Sequence, residues 1–497
     1  MTRLKKKTVL IAIAVCAVVV TMGWSGWLVW TGPHGPTHVT VLPYVQPGTN
    51  SVATNGIDSS RLVWVARGKQ GSFSVNYGVS TSYGQTASPL AVELIPAHSS
   101  HKYLATLENL PLNARIFYRV SLGSKVVREG SFMARKTMTN TIHFVTVGDT
   151  VHAQPGERRI AWQISRQQPE FFVHLGDIVY FEGTVHEYMQ RLWPCYNDPK
   201  NDSPDKGAPI MGSVPFYVVL GNHDVHYGLN LEKRPDGLAA FYFFHAALNG
   251  PRNLRSSIPV RGTPKQVAAF RKAAGDSFPS LGFYSFENGP AHFLFLDGNE
   301  YTDFDEPALR DWVEQDLANA RTPWKFVVSH APAFQTGAKE YSWQQLRKLA
   351  TVFQKTGVDV VFSGHCHNYQ RTYPLKFYPY GTNSLTRRGW VNGRFVVDER
   401  FDGVTNQQPE GIVHVVSGAG GMRLSDTNFH HHPFLPKSDP ANWVPYTAQL
   451  IADRYSFSDV TVTPEHFTLR QIDDTGGEFD RFEIHKGPSG QGRATAR

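Results

Sequence analysis

Five short apolar runs in this chain each end in residues of metal-ligand type, and nothing else in the sequence constrains the fold so tightly. Residues 142–147 lead into Gly148-Asp149, residues 171–175 into Gly176-Asp177 and on to Tyr180, and residues 216–220 into Gly221-Asn222-His223-Asp224. Residues 326–329 lead into His330, and residues 358–362 into Gly364-His365-Cys366-His367. Apolar runs of about four to six residues, rich in Val and Phe, read as buried strands. In open α/β sheets, ligands bind just beyond the carboxyl ends of the strands. Five such endings are therefore expected to meet in one two-metal site.

The stretches between them fill in an architecture. From Thr137 onward the strands alternate with helical segments, Pro155 to Gln168 and Pro307 to Ala320 among them, which argues a mixed α/β core over residues 137–486. Residues 38–136 are different: short alternating segments such as Arg61 to Val65 and Ser72 to Tyr77, separated by Gly, Ser and Pro turns, read as an all-β sandwich. Gly32, Pro33, Gly35 and Pro36 mark residues 31–37 as a linker. Residues 181–214, with Pro194, Pro199, Pro204 and Pro209, read as a long polar loop over the site, and residues 376–410 as another; such insertions are common places for substrate selection. His430, His431 and His432 are adjacent and cannot converge easily on one ion, so a surface or supporting role is expected of them. The tail from Gly487 to Arg497 has a disordered composition.

Charge needs locating before it means anything. The formal net charge is +7. Arg3, Lys5, Lys6 and Lys7 at one end, with Lys486, Arg493 and Arg497 at the other, account for all of it, and residues 8–485 are formally neutral. A nucleic-acid partner needs a basic face on the folded part, and composition offers none. Thr8 to Trp30 is a stretch of 23 uncharged residues behind the basic cluster of residues 1–7. That is long enough to span a bilayer, with lysines on the cytoplasmic side and Trp24, Trp27 and Trp30 near the outer boundary. The segment is read as an uncleaved anchor, a cleaved signal peptide being the competing reading. Either way the folded part after residue 30 is exported, membrane-anchored or secreted. Of three cysteines, Cys16 falls in this segment; Cys195 and Cys366 are left as free buried thiols or as one bond.

The order and wording of the five blocks resemble the purple acid phosphatase branch of the calcineurin-like metallophosphoesterases. That family's pattern is Gly-Asp-x-Gly, Gly-Asp-x-x-Tyr, Gly-Asn-His-Glu/Asp, Val-x-x-His and Gly-His-x-His. The last four blocks fit as written, and Asn368 to Pro374 also looks like the family. The first departs, with Val151 where the family has glycine. The resemblance implies a metallophosphoesterase sandwich of two mixed β-sheets flanked by helices. It also implies that the preceding all-β module is fibronectin type III-like, with Tyr118 as its corner tyrosine and a role in support or docking.

The ligands follow residue by residue from the same resemblance. Asp149, Asp177, Tyr180 and His367 would hold a first metal, and Asp177, Asn222, His330 and His365 a second, with Asp177 bridging. A pair of ions about 3.5–4 Å apart generates hydroxide and clamps phosphoryl oxygens. Tyr180 implies Fe(III) at the first position, since phenolate is a hard anionic donor, with a divalent ion (Fe, Zn or Mn) at the second. His223 would contact substrate and protonate the leaving alkoxide, a task suited to imidazole, with Asp224 orienting it. His152 is out of register for a ligand and is assigned to the substrate side. Lys339 and Glu340 stand where plant-type members carry two histidines, so substrate handling there differs. Gly418, Ala419, Gly420 and Gly421 lack the ending of a phosphate loop and are read as tight packing beside the site.

The implied activity is extracytoplasmic hydrolysis of phosphate monoesters, best at mildly acidic pH, with small phosphate esters and the membrane as partners. A phosphodiesterase acting on nucleotides or phospholipid headgroups is the alternative on the same scaffold. A non-catalytic surface receptor is the distant third, since degeneration should have cost ligands and none of the seven is missing.

Overall fold

The computed structural model describes residues 35–487, apart from residues 54, 96–99, 153, 227, 252, 338–342, 381–389 and 426–443. The segments read as anchor and tail, together with Lys339, Glu340 and the three adjacent histidines, lie outside the described residues. Among the described residues, no helix is long and apolar enough to cross a membrane.

Eight strands open the fold: β1 (His38–Pro47), β2 (Ile57–Arg67), β3 (Phe73–Gly78), β4 (Gln85–Ala87), β5 (Leu90–Ile95), β6 (Ser100–Pro111), β7 (Arg115–Leu122) and β8 (Lys125–Met133). They form two antiparallel sheets, β1-β2-β6-β5 and β4-β3-β7-β8. Leu62, Trp64, Tyr103, Ile116, Val120 and Phe132 fill the space between them, with Trp64 stacked on Tyr103 at 5.5 Å. An ordinary sandwich strand buries one face. β2 buries both, because Val63 and Val65 on its outer face pack, with Val41 and Tyr44, into the core of the following α/β region. Tyr118 is not tied back to its own sandwich as a corner tyrosine would be. Its hydroxyl donates across the junction to the Gly212 carbonyl at 2.7 Å.

The rest of the chain adds β9 (Ile142–Val147), β10 (Phe171–His174), β11 (Phe216–Val218), β12 (Phe283–Asn288), β13 (Ala291–Leu296), β14 (Trp324–Ser329), β15 (Val360–Ser363), β16 (Tyr369–Thr372), β17 (Leu375–Pro379), β18 (Gly393–Val397), β19 (Val413–Ser417), β20 (Thr447–Ile451), β21 (Ser456–Val462), β22 (His466–Asp473) and β23 (Glu478–His485), and all of these but β17 and β18 build two larger sheets. One sheet has the order β11-β10-β9-β21-β22-β23 and the other β12-β13-β14-β15-β19-β16-β20. The strands expected from sequence are parallel neighbours: β9, β10 and β11 in the first sheet, β14 and β15 in the second. Between the sheets lies an aromatic core in which Phe144 meets Phe293 at 5.3 Å and Phe362 at 6.1 Å. The expected helices run Pro155–Gln167 and Pro307–Asn319, each opened by proline at its first position, where the missing N–H costs nothing.

Two expectations about loops need correcting. Residues 181–214 are not an open loop. They contain helical turns over Val185–Glu187, Tyr188–Leu192 and Trp193–Tyr196, and Tyr188, Trp193 and Tyr196 pack inward, Trp193 lying 4.8 Å from Tyr44 of the sandwich. Residues 376–410 likewise include the antiparallel pair β17-β18. Cys195 and Cys366 are buried and unbonded to each other.

Candidate metal centre

All five ligand-bearing turns leave the carboxyl ends of their strands on the same edge, three from the first sheet and two from the second. Backbone bonds stitch them together: Gly148 N–H donates across the gap to Ser417 O of the second sheet at 2.9 Å, Asp149 N–H to Gly176 O within the first sheet's edge at 3.0 Å, and Gly364 N–H to His330 O within the second's at 3.0 Å. The packing leaves little room. A Cβ on Gly364 would fall 2.7 Å from Asp149 Oδ2. The glycines of residues 418–421 back the same turns as expected, with Gly420 against the Gly148 carbonyl. Val151, the departure from the family pattern, is fully buried and bridges to Val179, so it extends the sheet rather than opening a turn.

Three of the converging residues, Asp149, Asp177 and His365, have left-handed backbones with φ of 58°, 50° and 68°. Such conformations cost a non-glycine residue roughly 1 kcal/mol or more each and gather at functional sites. The turns are held against that cost by buried polar groups. His174 donates from Nε2 to Thr150 Oγ1 at 3.0 Å, while its Nδ1 accepts from Gly176 N–H. Burial first, and the nearby His330 second, press its pKa down to about 3, which keeps this bridge neutral. The sequence reading missed His174; its signal was a histidine inside an apolar run, directly before Gly-Asp.

The donors fall into two groups. In one, the Tyr180 hydroxyl sits 2.8 Å from Asp149 Oδ1, 2.9 Å from Asp177 Oδ2 and 3.3 Å from His367 Nε2. In the other, Asn222 Oδ1 sits 3.1 Å from His330 Nε2 and 3.0 Å from His365 Nδ1, and those two nitrogens are 3.2 Å apart. Asp177 belongs to both, because its Oδ1 lies 3.5 Å from His330 Nε2. Two of the imidazoles are fixed by backbone carbonyls: His330 Nδ1 meets Leu175 O at 2.7 Å and His367 Nδ1 meets Arg423 O at 2.9 Å. Donation on that side turns Nε2 inward, and a bound metal ion would take that nitrogen's lone pair in place of a proton.

Electrostatics give the donor set a reason to hold cations. Burial first, and then the charge of Asp177, raise Asp149 well above the carboxylate range despite His330. Tyr180 is raised too, by burial and by the two carboxylates it touches. At Asp177 burial works the same way, but His330 outweighs it and holds the carboxyl below its usual range. One histidine cannot offset all these acids. Carboxylates, a phenol and inward lone pairs in one buried pocket are a set that positive ions complete. Asp149, Asp177 and His330 alone place three ligand atoms within 4.8 Å of one another.

His223 and Asp224 sit on the short helical turn Asn222–Val225. The expectation that Asp224 orients the His223 ring is corrected by the bonds. Asp224 is fully buried and accepts the N–H groups of Ile178 and Gly221 at 3.0 and 2.8 Å, so it clamps two ligand turns together. The His223 ring is held instead by the Phe181 carbonyl, 2.7 Å from Nδ1. It lies over the Tyr180 ring at 4.4 Å. His152 is placed next to this group, its ring 4.6 Å from Phe181 and 5.9 Å from Tyr180, and touches none of the seven donors by hydrogen bond. Trp343, which the sequence reading did not single out, stacks on His365 at 4.6 Å with an 18° tilt.

Residues 142–369 match the calcineurin-like phosphoesterase family, a span that contains all seven donors. The chain is 21% identical to an acid phosphatase of Aspergillus ficuum, over 87% of this chain and 83% of that protein. It is 25% identical to purple acid phosphatase 18 of Arabidopsis thaliana, over 68% of this chain and 70% of that one. Among solved structures, purple acid phosphatase PPD1 from yellow lupin seeds shares the fold, with a TM-score of 0.61 at 18% identity over 89% of this chain and 74% of that one.

Proposed function

We propose that this chain, a metal-dependent phosphatase built on a calcineurin-like metallophosphoesterase domain, is a dinuclear enzyme of the purple acid phosphatase kind that hydrolyses phosphate monoesters outside the cytoplasm. The observation that carries the dinuclear reading is Asp177, which turns one carboxylate oxygen to each donor group. Asp149, Asp177, Tyr180 and His367 would hold Fe(III), and Asp177, Asn222, His330 and His365 a divalent ion. When bound, the two ions supply an activated oxygen nucleophile and neutralise the phosphoryl oxygens.

The chain's own residues do the rest. With Nδ1 engaged by Phe181, Nε2 of His223 is the nitrogen assigned to the ester, and as imidazolium it donates a proton to the leaving oxygen. Asp224 keeps the Ile178 and Gly221 turns at fixed separation, and His152 borders the substrate side. Export rests on residues 1–30, whose basic start and uncharged run suit an anchor or signal segment. The N-terminal sandwich is taken as a fibronectin type III-like support, buried along one face against the catalytic region.

Purified protein assayed on a panel of mono- and diesters, with metal analysis, tests the reading. Monoesters should be preferred, and iron should accompany a broad visible absorbance that Tyr180→Phe abolishes. His223→Ala should keep both metals and lose about 10² to 10⁴-fold in rate on alkyl phosphates, with a small loss on p-nitrophenyl phosphate, whose leaving group needs no proton. A preference for diesters would move the chain to the phosphodiesterase reading. A colourless, fully active enzyme holding only zinc or manganese would remove the iron assignment.

A further inference from the structure

Phe181 follows the tyrosine of the second ligand turn, yet 44% of it is exposed. An exposed phenylalanine on a soft loop would mean little. This one is built in. Its N–H and those of Glu182 and Thr184 all donate to the carboxylate of the nearly buried Glu187, and Arg191 holds the carbonyl of Tyr180 just before it. The Phe181 carbonyl in turn fixes the His223 ring. A segment pinned from both sides has had the means to turn a ring inward, and it presents the ring instead.

The ring's neighbours say what it is presented to. His152 meets it edge-on at 4.6 Å, and His223 meets it edge-on at 5.9 Å. His223 is the residue assigned to the leaving oxygen, so a group bonded directly to that oxygen comes within reach of the Phe181 ring. Aromatic rings pair best offset or edge-to-face at centroid distances of about 4.5–7 Å.

On the phosphatase reading above, we propose that Phe181, with His152 beside it, forms a subsite for a flat aromatic leaving group, so that the favoured substrates are phosphate monoesters of aromatic alcohols.

Phosphonates, which are not hydrolysed, separate binding from chemistry. Inhibition of the holoenzyme by benzylphosphonate and by ethylphosphonate, in which a methylene stands in for the leaving oxygen, is measured for wild type, Phe181→Ala and Phe181→Tyr, and the ratio of the two constants is read within each protein so that general changes cancel. Wild type should bind benzylphosphonate about tenfold more tightly, which is about 1.4 kcal/mol. Phe181→Ala should bring the ratio close to one, and Phe181→Tyr should keep it. A ratio unchanged in Phe181→Ala, in an enzyme that still hydrolyses monoesters, overturns the subsite alone. A wild type that hydrolyses no phosphate ester overturns the phosphatase reading and the subsite with it.

Discussion

Two buried charge clusters in this molecule are organised in opposite ways. At the junction of the sandwich with the α/β region, Asp58 faces Arg135, both under a tenth exposed. Arg135 donates to Asp58 Oδ1 from Nε at 2.8 Å, its backbone N–H reaches Oδ2 at 3.0 Å, and Nη1 satisfies the carbonyls of Ser51 and Glu287. Every acid there has its cation and nearly every lone pair its donor. At the metal centre, Asp149, Asp177, Asp224 and Tyr180 are as deeply buried, with His330 as the main counter-charge. The first arrangement is complete within the chain and ties three segments together. The second is complete only with something added. Burial alone therefore does not distinguish a structural ion pair from a site; the balance of donors and acceptors does.

The largest effect that would break this comparison lies at the centre itself. Asp149→Asn removes one surplus anion while its carboxamide oxygen can still accept the His365 N–H, now 2.7 Å from Oδ2. Metal-ion catalysis is worth several kcal/mol, so phosphatase turnover should fall on the order of a thousandfold, with bound metal lost on metal analysis. The metal-free protein should be no less stable than metal-free wild type in urea, since a carboxylate that folding disfavours has gone. A clear destabilisation of the metal-free variant would mean that Asp149 is a structural acid after all. Asp58→Ala is the converse. It orphans a buried arginine, which costs about 3–5 kcal/mol, and turnover per metal-loaded molecule should stay near wild type.

How far the sequence announced either cluster depends on range. The seven donors were legible because each sits within a few residues of a strand end and carries its own chemistry, Gly-Asp or Gly-His-x-His, in a local pattern. Their grouping into two sets was implied only through the family resemblance. What stayed hidden was set by partners far away in the chain. Asp58 and Arg135 are 77 residues apart and neither belongs to a motif. β12 and β13 are apolar runs without a chemical signature, and Asp224 looked like a partner for its neighbour His223 until Ile178 and Gly221 claimed both its oxygens. Residues 181–214 were misread for the same reason: Tyr44, which covers Trp193, lies on the other side of the domain junction.

The smallest effect sharpens the comparison with a third buried group that is complete within the chain but only while protonated. His292 on β13 is 4% exposed, its Nε2 2.7 Å from Asp316 Oδ2 on the helix Pro307–Asn319 and its Nδ1 3.7 Å from Glu287 on β12. The second distance is too long for a hydrogen bond, so Glu287 acts as a nearby charge, while Asp316 is also held by Ser285 Oγ at 2.6 Å. Burial by itself would lower the histidine, but Asp316 and then Glu287 win, and its pKa is raised to about 8. In the unfolded chain it should titrate near 6.5. A folded pKa above the unfolded one means that the stabilisation is fully present below about pH 6.5 and is lost as pH rises through about 8. The shift corresponds to about 2 kcal/mol. In urea unfolding of the catalytic region, wild type should therefore exceed His292→Gln by more at pH 6 than at pH 9, and the two gaps should differ by up to about 2 kcal/mol. A gap that does not change between those pH values would show that His292 keeps one charge state across that range where it is buried, and that its contact with Asp316 does not make the fold pH-sensitive there.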